Sequence, residues 1–219
     1  MADDEERDDS GPRRAAEMGD LALLDRWRGG DSTAGSALFE RHFDALCRFF
    51  RNKLAAGDGV DDLIQRTMLA LVESRDRFRG EASFRTYLFT IARHELYAHL
   101  KRSGREQARF DPLVHSVHDH GPSPTTILAQ RKEQRMLLEA LRRVPLELQV
   151  VLELYYWEGI GTAELGELLE LPQGTVKTRL MRARERLRAS LSHAPAGEIP
   201  SDDDGLDAWA RSLRALVVA

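Results

Sequence analysis

The chain has 219 residues, enough for one large domain or two small ones. Apolar residues make up 42% and charged residues 31%, so a core can be buried beneath a heavily charged surface. The single cysteine, Cys47, excludes an internal disulfide and a cysteine-based zinc site, and no apolar run reaches the length of a membrane span. The net charge of −4 hides a strong asymmetry: Met1 to Asp20 carries −5, whereas Pro172 to Arg188 carries +5. Local charge decides what a surface attracts, so the second stretch points to a polyanion. The acidic N-terminus lacks an apolar signal region, and the expected location is cytoplasmic.

The first 18 to 20 residues are charged and poor in apolar side chains, which predicts an acidic disordered segment. Helical periodicity then begins. Phe39, Phe43, Leu46, Phe50 and Leu54 form one apolar stripe, with Cys47 in the same pattern as a small core residue. Gly57 and Gly59 interrupt it, and Asp61 and Asp62 open a helix at its positive end, with Ile64, Met68, Leu71 and Val72 as its stripe. Ser83 is an expected N-cap for a third helix carrying Phe84, Leu88, Ile91 and Leu96 to about Arg102. These elements predict a first helical domain over residues 21–102.

Residues 103–131 read as a Gly/Pro-rich linker. Its His115, His118 and His120 form an H-x-x-H-x-H cluster without supporting residues around it, and no metal site is expected. Helices resume with Leu137, Ala140, Leu141 and Val144, stop at Pro145, and continue through Leu148, Val151, Leu152 and Tyr155. Two shorter helices, Thr162 to Leu169 and Gln173 to Leu191, flank a tight turn at Glu170–Pro172, the spacing of a helix-turn-helix. In the second, Val176, Leu180, Ala183 and Leu187 should face the core, turning Lys177, Thr178, Arg179, Arg182 and Arg186 outward. A merely solvated helix mixes charge signs, whereas this one has a single acid, which suits a helix offered to the major groove. The second domain is placed at residues 132–192. Beyond it, Leu206, Trp209, Leu213, Leu216 and Val217 predict an extra amphipathic helix in residues 193–219. No strand period appears, so the fold expected is all-α. No nucleophile constellation and no Gly-rich phosphate cradle is present, so neither catalysis nor a cofactor is expected.

The stretch "LRRVPLELQVVLELYYWEGIGTAELGELLELPQGTVKTRLMRARERLR" resembles region 4 of the extracytoplasmic-function (ECF) sigma factors. The resemblance implies that Lys177, Thr178, Arg179, Arg182 and Arg186 approach the minus-35 promoter element. Gly166 departs from the family's usual alanine and is expected to cost some helix stability. "VDDLIQRTMLALVESRDRFRGEASFRTYLFTIARHELYAHLKR" resembles region 2 of the same family. There the resemblance implies that Asp61, Asp62, Gln65 and Arg66 dock on the polymerase clamp. Basic residues interleaved with aromatics suit single-stranded DNA. By resemblance, Arg79, Arg85, Arg93, His94, Lys101 and Arg102 hold the minus-10 strand, with a flipped base captured near the Arg79–Ser83 loop. His94 and Ala98 stand where the family commonly has asparagine and aspartate, which bears on base preference.

The resemblance implies a sigma adaptor whose partners are core RNA polymerase, at its clamp and flap, promoter DNA, and an anti-sigma factor. A membrane-tethered anti-sigma factor would bring this chain to the membrane without inserting it. The competing reading is a stand-alone helix-turn-helix repressor or activator. It would need a ligand-sensing or dimerising domain, and no pocket or heptad signal appears.

Overall fold

A computed structural model of the chain describes residues 10–54, 59–102 and 132–191, together with Gly205, Asp207, Ala208 and Ala210. The expected linker with its three histidines, and Leu206, Trp209 and Leu213 of the tail, lie outside the described residues. Every regular element among the described residues is helical: α1 (Ser10–Arg28), α2 (Ser32–Arg51), α3 (Val60–Ser74), a 3₁₀ turn (Arg75–Arg77), α4 (Phe84–Arg102), α5 (Lys132–Arg142), α6 (Leu146–Tyr156), α7 (Thr162–Leu169) and α8 (Gln173–Leu191). The all-α expectation holds.

The N-terminal expectation needs correcting, because helix α1 begins at Ser10, well inside the stretch read as disordered. It is held by packing that charge composition does not reveal. Leu24 and Trp27 are buried, and Trp27 meets Phe39 of α2 edge-on at 5.1 Å. Asp20 is buried as well, accepting hydrogen bonds from Arg41 Nη1 at 2.6 Å and His42 Nε2 at 2.8 Å. Asp31 caps α2 by accepting from the backbone N–H groups of Thr33 and Ala34 at 3.0 and 3.2 Å. The α2 stripe is also rotated from the expected one: Leu38, His42, Ala45, Leu46, Phe49 and Phe50 point inward, while Phe43 is 46% exposed. Leu54 is buried but lies beyond the end of α2 at Arg51. Cys47 is buried as a small core residue.

Two apolar clusters organise the molecule. One joins α1, α2, α3 and α4 through Leu24, Trp27, Leu38, Leu71, Phe84 and Leu88. The other runs without a break from Leu46, Phe50, Phe89 and Leu96 into Leu141, Val151, Leu165 and Leu180. The first four helices and the last four therefore close on each other through shared core.

Charge crosses the same junction. Lys53 Nζ donates to Glu153 Oε2 at 2.5 Å, and both side chains are shut off from solvent. Burial pulls the Lys53 ammonium below the ordinary lysine value, against the opposing pull of Glu153. Arg48 Nη2 meets Glu158 Oε1 at 2.9 Å, and Gln149 Nε2 donates to the Asn52 carbonyl at 3.3 Å.

Candidate nucleic-acid and polymerase interfaces

Helix α3 starts from Gly59, whose φ of 79° is left-handed and suits glycine. Leu63, Ile64, Thr67 and Leu71 are buried, and Met68 packs partly against the core. Asp61, Asp62 and Gln65 consequently lie exposed on the outer face, with Arg66 Nη2 held by Asp62 Oδ2 at 2.7 Å one turn earlier. Val72, read as part of the buried stripe, is instead 38% exposed, and Leu69 is 57% exposed. Gln65, Leu69 and Val72 follow helical spacing, so the polar face continues into an apolar strip. The signal for Leu69 was in the sequence: it falls off the Ile64–Met68–Leu71 register.

The loop before α4 is presented outward. Gly80 takes a left-handed φ of 75°, and Arg79 is 83% exposed, 4.0 Å from Glu81. Ser83 caps α4, its Oγ accepting the Thr86 N–H at 3.1 Å, as expected. The base of the loop is fixed by Arg28, whose guanidinium donates to the Arg75 and Phe78 carbonyls, both at 2.5 Å, and by Phe78 stacked on Tyr87 at 4.7 Å. Phe78 and Phe84 are buried, leaving Tyr87 half-buried beside them.

The basic residues of α4 divide into two groups. Lys101 and Arg102 are exposed at its end, Arg102 Nε donating to the Ala98 carbonyl at 3.1 Å. Arg85, Arg93 and His94 face the last four helices. Arg85 Nη1 reaches the Glu158 carbonyl at 3.1 Å and its Oε2 at 3.5 Å. Arg93 Nη2 reaches Glu147 Oε1 at 3.5 Å while its guanidinium lies over Tyr97, and His94 Nε2 is 3.8 Å from Glu170 Oε1.

The helix-turn-helix forms as expected, with α7 and α8 bounded where the spacing put them. Glu170 ends α7 at a left-handed φ of 57°, and Leu171 N–H donates to the Gly166 carbonyl at 2.8 Å. A Cβ at residue 166 would stand 2.9 Å from the Leu171 carbonyl oxygen, so the glycine accommodates the turn instead of merely weakening a helix. Across the turn, Gln173 Nε2 donates to Thr162 Oγ1 at 3.0 Å. Val176, Leu180, Ala183 and Leu187 are buried, and Lys177, Thr178, Arg182 and Arg186 are exposed. Arg179 departs from the outward set: its Nη1 lies 2.8 Å from Glu147 Oε2.

On the far side of α8, Arg184 Nε donates to the Tyr156 hydroxyl at 2.7 Å and Nη2 pairs with Asp207 Oδ2 at 2.8 Å. Tyr156 donates in turn to Asp207, and Ala210 joins the core. Burial, then the Asp207 carboxylate, push the Tyr156 phenol well above its ordinary range. No helix among the described residues is long and apolar enough to cross a membrane, and no metal-ligating cluster occurs among them.

Two family models match this arrangement: sigma-70 region 2 over residues 38–106 and sigma-70 region 4 over residues 134–187. Together they take in most of α2, all of α3 and α4, and nearly all of α5 to α8. The chain belongs to the ECF sigma factors. It is 25% identical over 181 residues to the ECF RNA polymerase sigma-E factor of Haemophilus influenzae, covering 79% of this chain and 95% of that protein. It is 24% identical to the sigma-E factor of Escherichia coli K12, covering 78% and 93%. Solved structures share the fold: CnrH in complex with the cytosolic domain of CnrY (TM-score 0.58, 22% identity, 79% of this chain and 97% of that one), and the sigma factor RpoE in complex with the anti-sigma factor NepR from Bartonella quintana (TM-score 0.56, 22% identity, 73% and 97%).

Proposed function

We propose that this ECF sigma factor binds core RNA polymerase and directs it to promoters, melting the minus-10 element and initiating transcription. The observation that carries the reading is the pairing of the two sigma regions in one chain. A helix-turn-helix alone fits any duplex-binding repressor, whereas a region 2 unit beside it does not. Residues 21–102 are the proposed clamp and minus-10 unit, residues 132–192 the minus-35 unit, and residues 103–131 the connection threaded through polymerase. Asp61, Asp62, Gln65 and Arg66 are the proposed clamp contacts, extended by Leu69 and Val72. This extension is supported by the exposure of two large apolar side chains on the same face of the helix as Gln65.

Arg79, Arg85, Arg93, His94, Lys101 and Arg102 are the proposed minus-10 contacts, and Lys177, Thr178, Arg179, Arg182 and Arg186 the proposed minus-35 contacts. The chain makes no bonds itself; RNA synthesis belongs to polymerase. An anti-sigma factor is the proposed regulator, and the cytoplasm the proposed location.

Core-enzyme pull-down combined with run-off transcription tests the reading. The expected result is specific initiation only in the presence of this chain, lost when Asp62 and Gln65 are replaced by lysine, with minus-35 duplex binding retained. Tight operator binding without polymerase association or transcript would overturn it in favour of a repressor.

A further inference from the structure

Helix α1 ends on a side chain that reaches beyond its own packing. Leu24 and Trp27 sink into the core shared with α2, α3 and α4, whereas Arg28, the next residue, extends to the far end of α3. An α-helix leaves its last carbonyls without donors of its own, and those of α3 and the following 3₁₀ turn find them on neighbouring helices. The Arg28 guanidinium donates from Nε and Nη2 to the Arg75 carbonyl at 3.0 and 2.5 Å, and from Nη2 to the Phe78 carbonyl at 2.5 Å. From the other side, the Tyr87 hydroxyl of α4 donates to the Ser74 carbonyl at 3.0 Å. Asp25, the acid paired with Arg28, is farther off at 3.4 Å and itself exposed, so the guanidinium serves mainly backbone oxygens.

Phe78 is where the chain leaves this support. Its ring is buried, edge-on to Phe84 at 6.4 Å and against Tyr87 at 4.7 Å, so both its side chain and its carbonyl are held. Arg79, Gly80 and Glu81 then stand exposed, with open space around Gly80, until Ser83 caps α4. The pose of these residues is set by the two ends, the stem at Phe78 and the cap at Ser83.

We infer that Arg28 is a positioning residue for base capture: it clasps the stem of the Arg79–Ser83 loop and so fixes the pocket that takes the flipped minus-10 base. The inference rests on the reading of that loop as the capturing one. Helix α1 lies ahead of residues 38–106, the span that matches sigma-70 region 2, and Arg28 acts on the loop's backbone instead of on DNA. A loop already in its binding pose loses little freedom when a base arrives, whereas a released stem must be ordered at that moment. Selectivity follows from the same restraint, since a loose pocket repacks around the wrong base as readily as around the right one. A guanidinium suits the task because its planar fork spans two carbonyls in a fixed geometry, which a lysine ammonium does not impose.

The test uses the full chain assembled with core polymerase. A promoter selected from a randomised library by the native holoenzyme supplies a forked probe, with duplex minus-35 and single-stranded minus-10 DNA. 2-Aminopurine placed in turn at each minus-10 position identifies the flipped base by its change in fluorescence. Competition among the natural bases at that position then gives the preference. Arg28→Met removes the donors and keeps an unbranched stem. Arg28→Lys restores the charge without the fork, and Tyr87→Phe removes the opposite tether while leaving a ring on Phe78. Arg26→Met, whose guanidinium pairs with Asp31 at 2.7 Å instead, controls for charge lost from α1.

Arg28→Met is expected to flatten the preference at the flipped position by about fivefold or more. Minus-35 duplex binding and core-polymerase capture should stay at native levels. Arg28→Lys should fall between the two, Tyr87→Phe should shift the preference in the same direction, and Arg26→Met should leave it unchanged. An arginine that merely stabilises the fold would lower the melting temperature and weaken binding of every base alike. That pattern overturns the inference, as does an unaltered preference in Arg28→Met. Should Arg28→Met fail to fold, Arg28→Lys and Tyr87→Phe decide, and native preference in both overturns it. If no minus-10 position of the native complex changes fluorescence, the reading of the loop fails first and the role of Arg28 with it.

Discussion

Gly35 sits where α1 and α2 come closest. A Cβ built there would stand 2.7 Å from the Trp27 ring, inside the distance real side chains tolerate. Trp27 is buried and cannot swing clear. Gly35→Ala should therefore cost about 1–3 kcal/mol by overpacking, more than the helix propensity it gains, as a urea melt would show. The neighbouring Asp20 sets an acid limit. Burial raises its carboxyl pKa, but the hydrogen bonds from His42 and Arg41 outweigh that and hold it below the ordinary 3.8. A carboxyl lowered in the folded state contributes stability above its unfolded pKa and loses it as pH falls through the folded one. The melting temperature should thus drop more steeply below about pH 4 in the native chain than in Asp20→Asn. That variant should be weaker by about 1.5–3 kcal/mol at neutral pH. Arg182, outward on α8, should contribute about 1–3 kcal/mol to minus-35 binding if it reads a base, measurable with Arg182→Ala and promoter duplex. None of the Asp20–His42 pairing was legible beforehand. Periodicity counts apolar side chains, and a histidine turned inward by a partner more than twenty residues away leaves no local mark.

Elements whose signal is strong and local were read correctly. Helices α4, α7 and α8 carry clear punctuation: Ser83 as cap, the Glu170–Pro172 turn, and a four-residue apolar register in α8. Helix α1 was lost because its N-terminal half is mostly charged and small residues, and the contacts that hold it reach across to α2. On α3 the buried register was right for Ile64 and Leu71 and wrong for Val72, since a stripe drifts around a helix that packs on one side only. The exposed Leu69 should tolerate a charge without loss of fold. Leu69→Lys is expected to leave the thermal melt within about 0.5 kcal/mol of the native value while weakening core-polymerase capture. The opposite pattern, a destabilised chain with intact capture, would return Leu69 to a packing role.

At the scale of the whole molecule, two regions that motifs make look independent share one core and one charged junction. Motif reading could not supply this, because Lys53 and Glu153 are a hundred residues apart and each looks like an ordinary surface charge. Removing only one partner strands the other without compensation, so Lys53→Met should disfavour the closed form by about 3–5 kcal/mol, seen as expansion in small-angle scattering. Adding Glu153→Leu should restore compactness.

The sorting of signs across that junction also bears on how the chain meets a change in ionic strength. Salt weakens the grip on DNA by making counterion release less favourable, and it loosens the carboxylate–cation contacts that keep the halves together. Added salt should therefore expand the native chain in small-angle scattering more than it expands Glu147→Gln/Glu158→Gln, whose junction has fewer charge pairs left to screen.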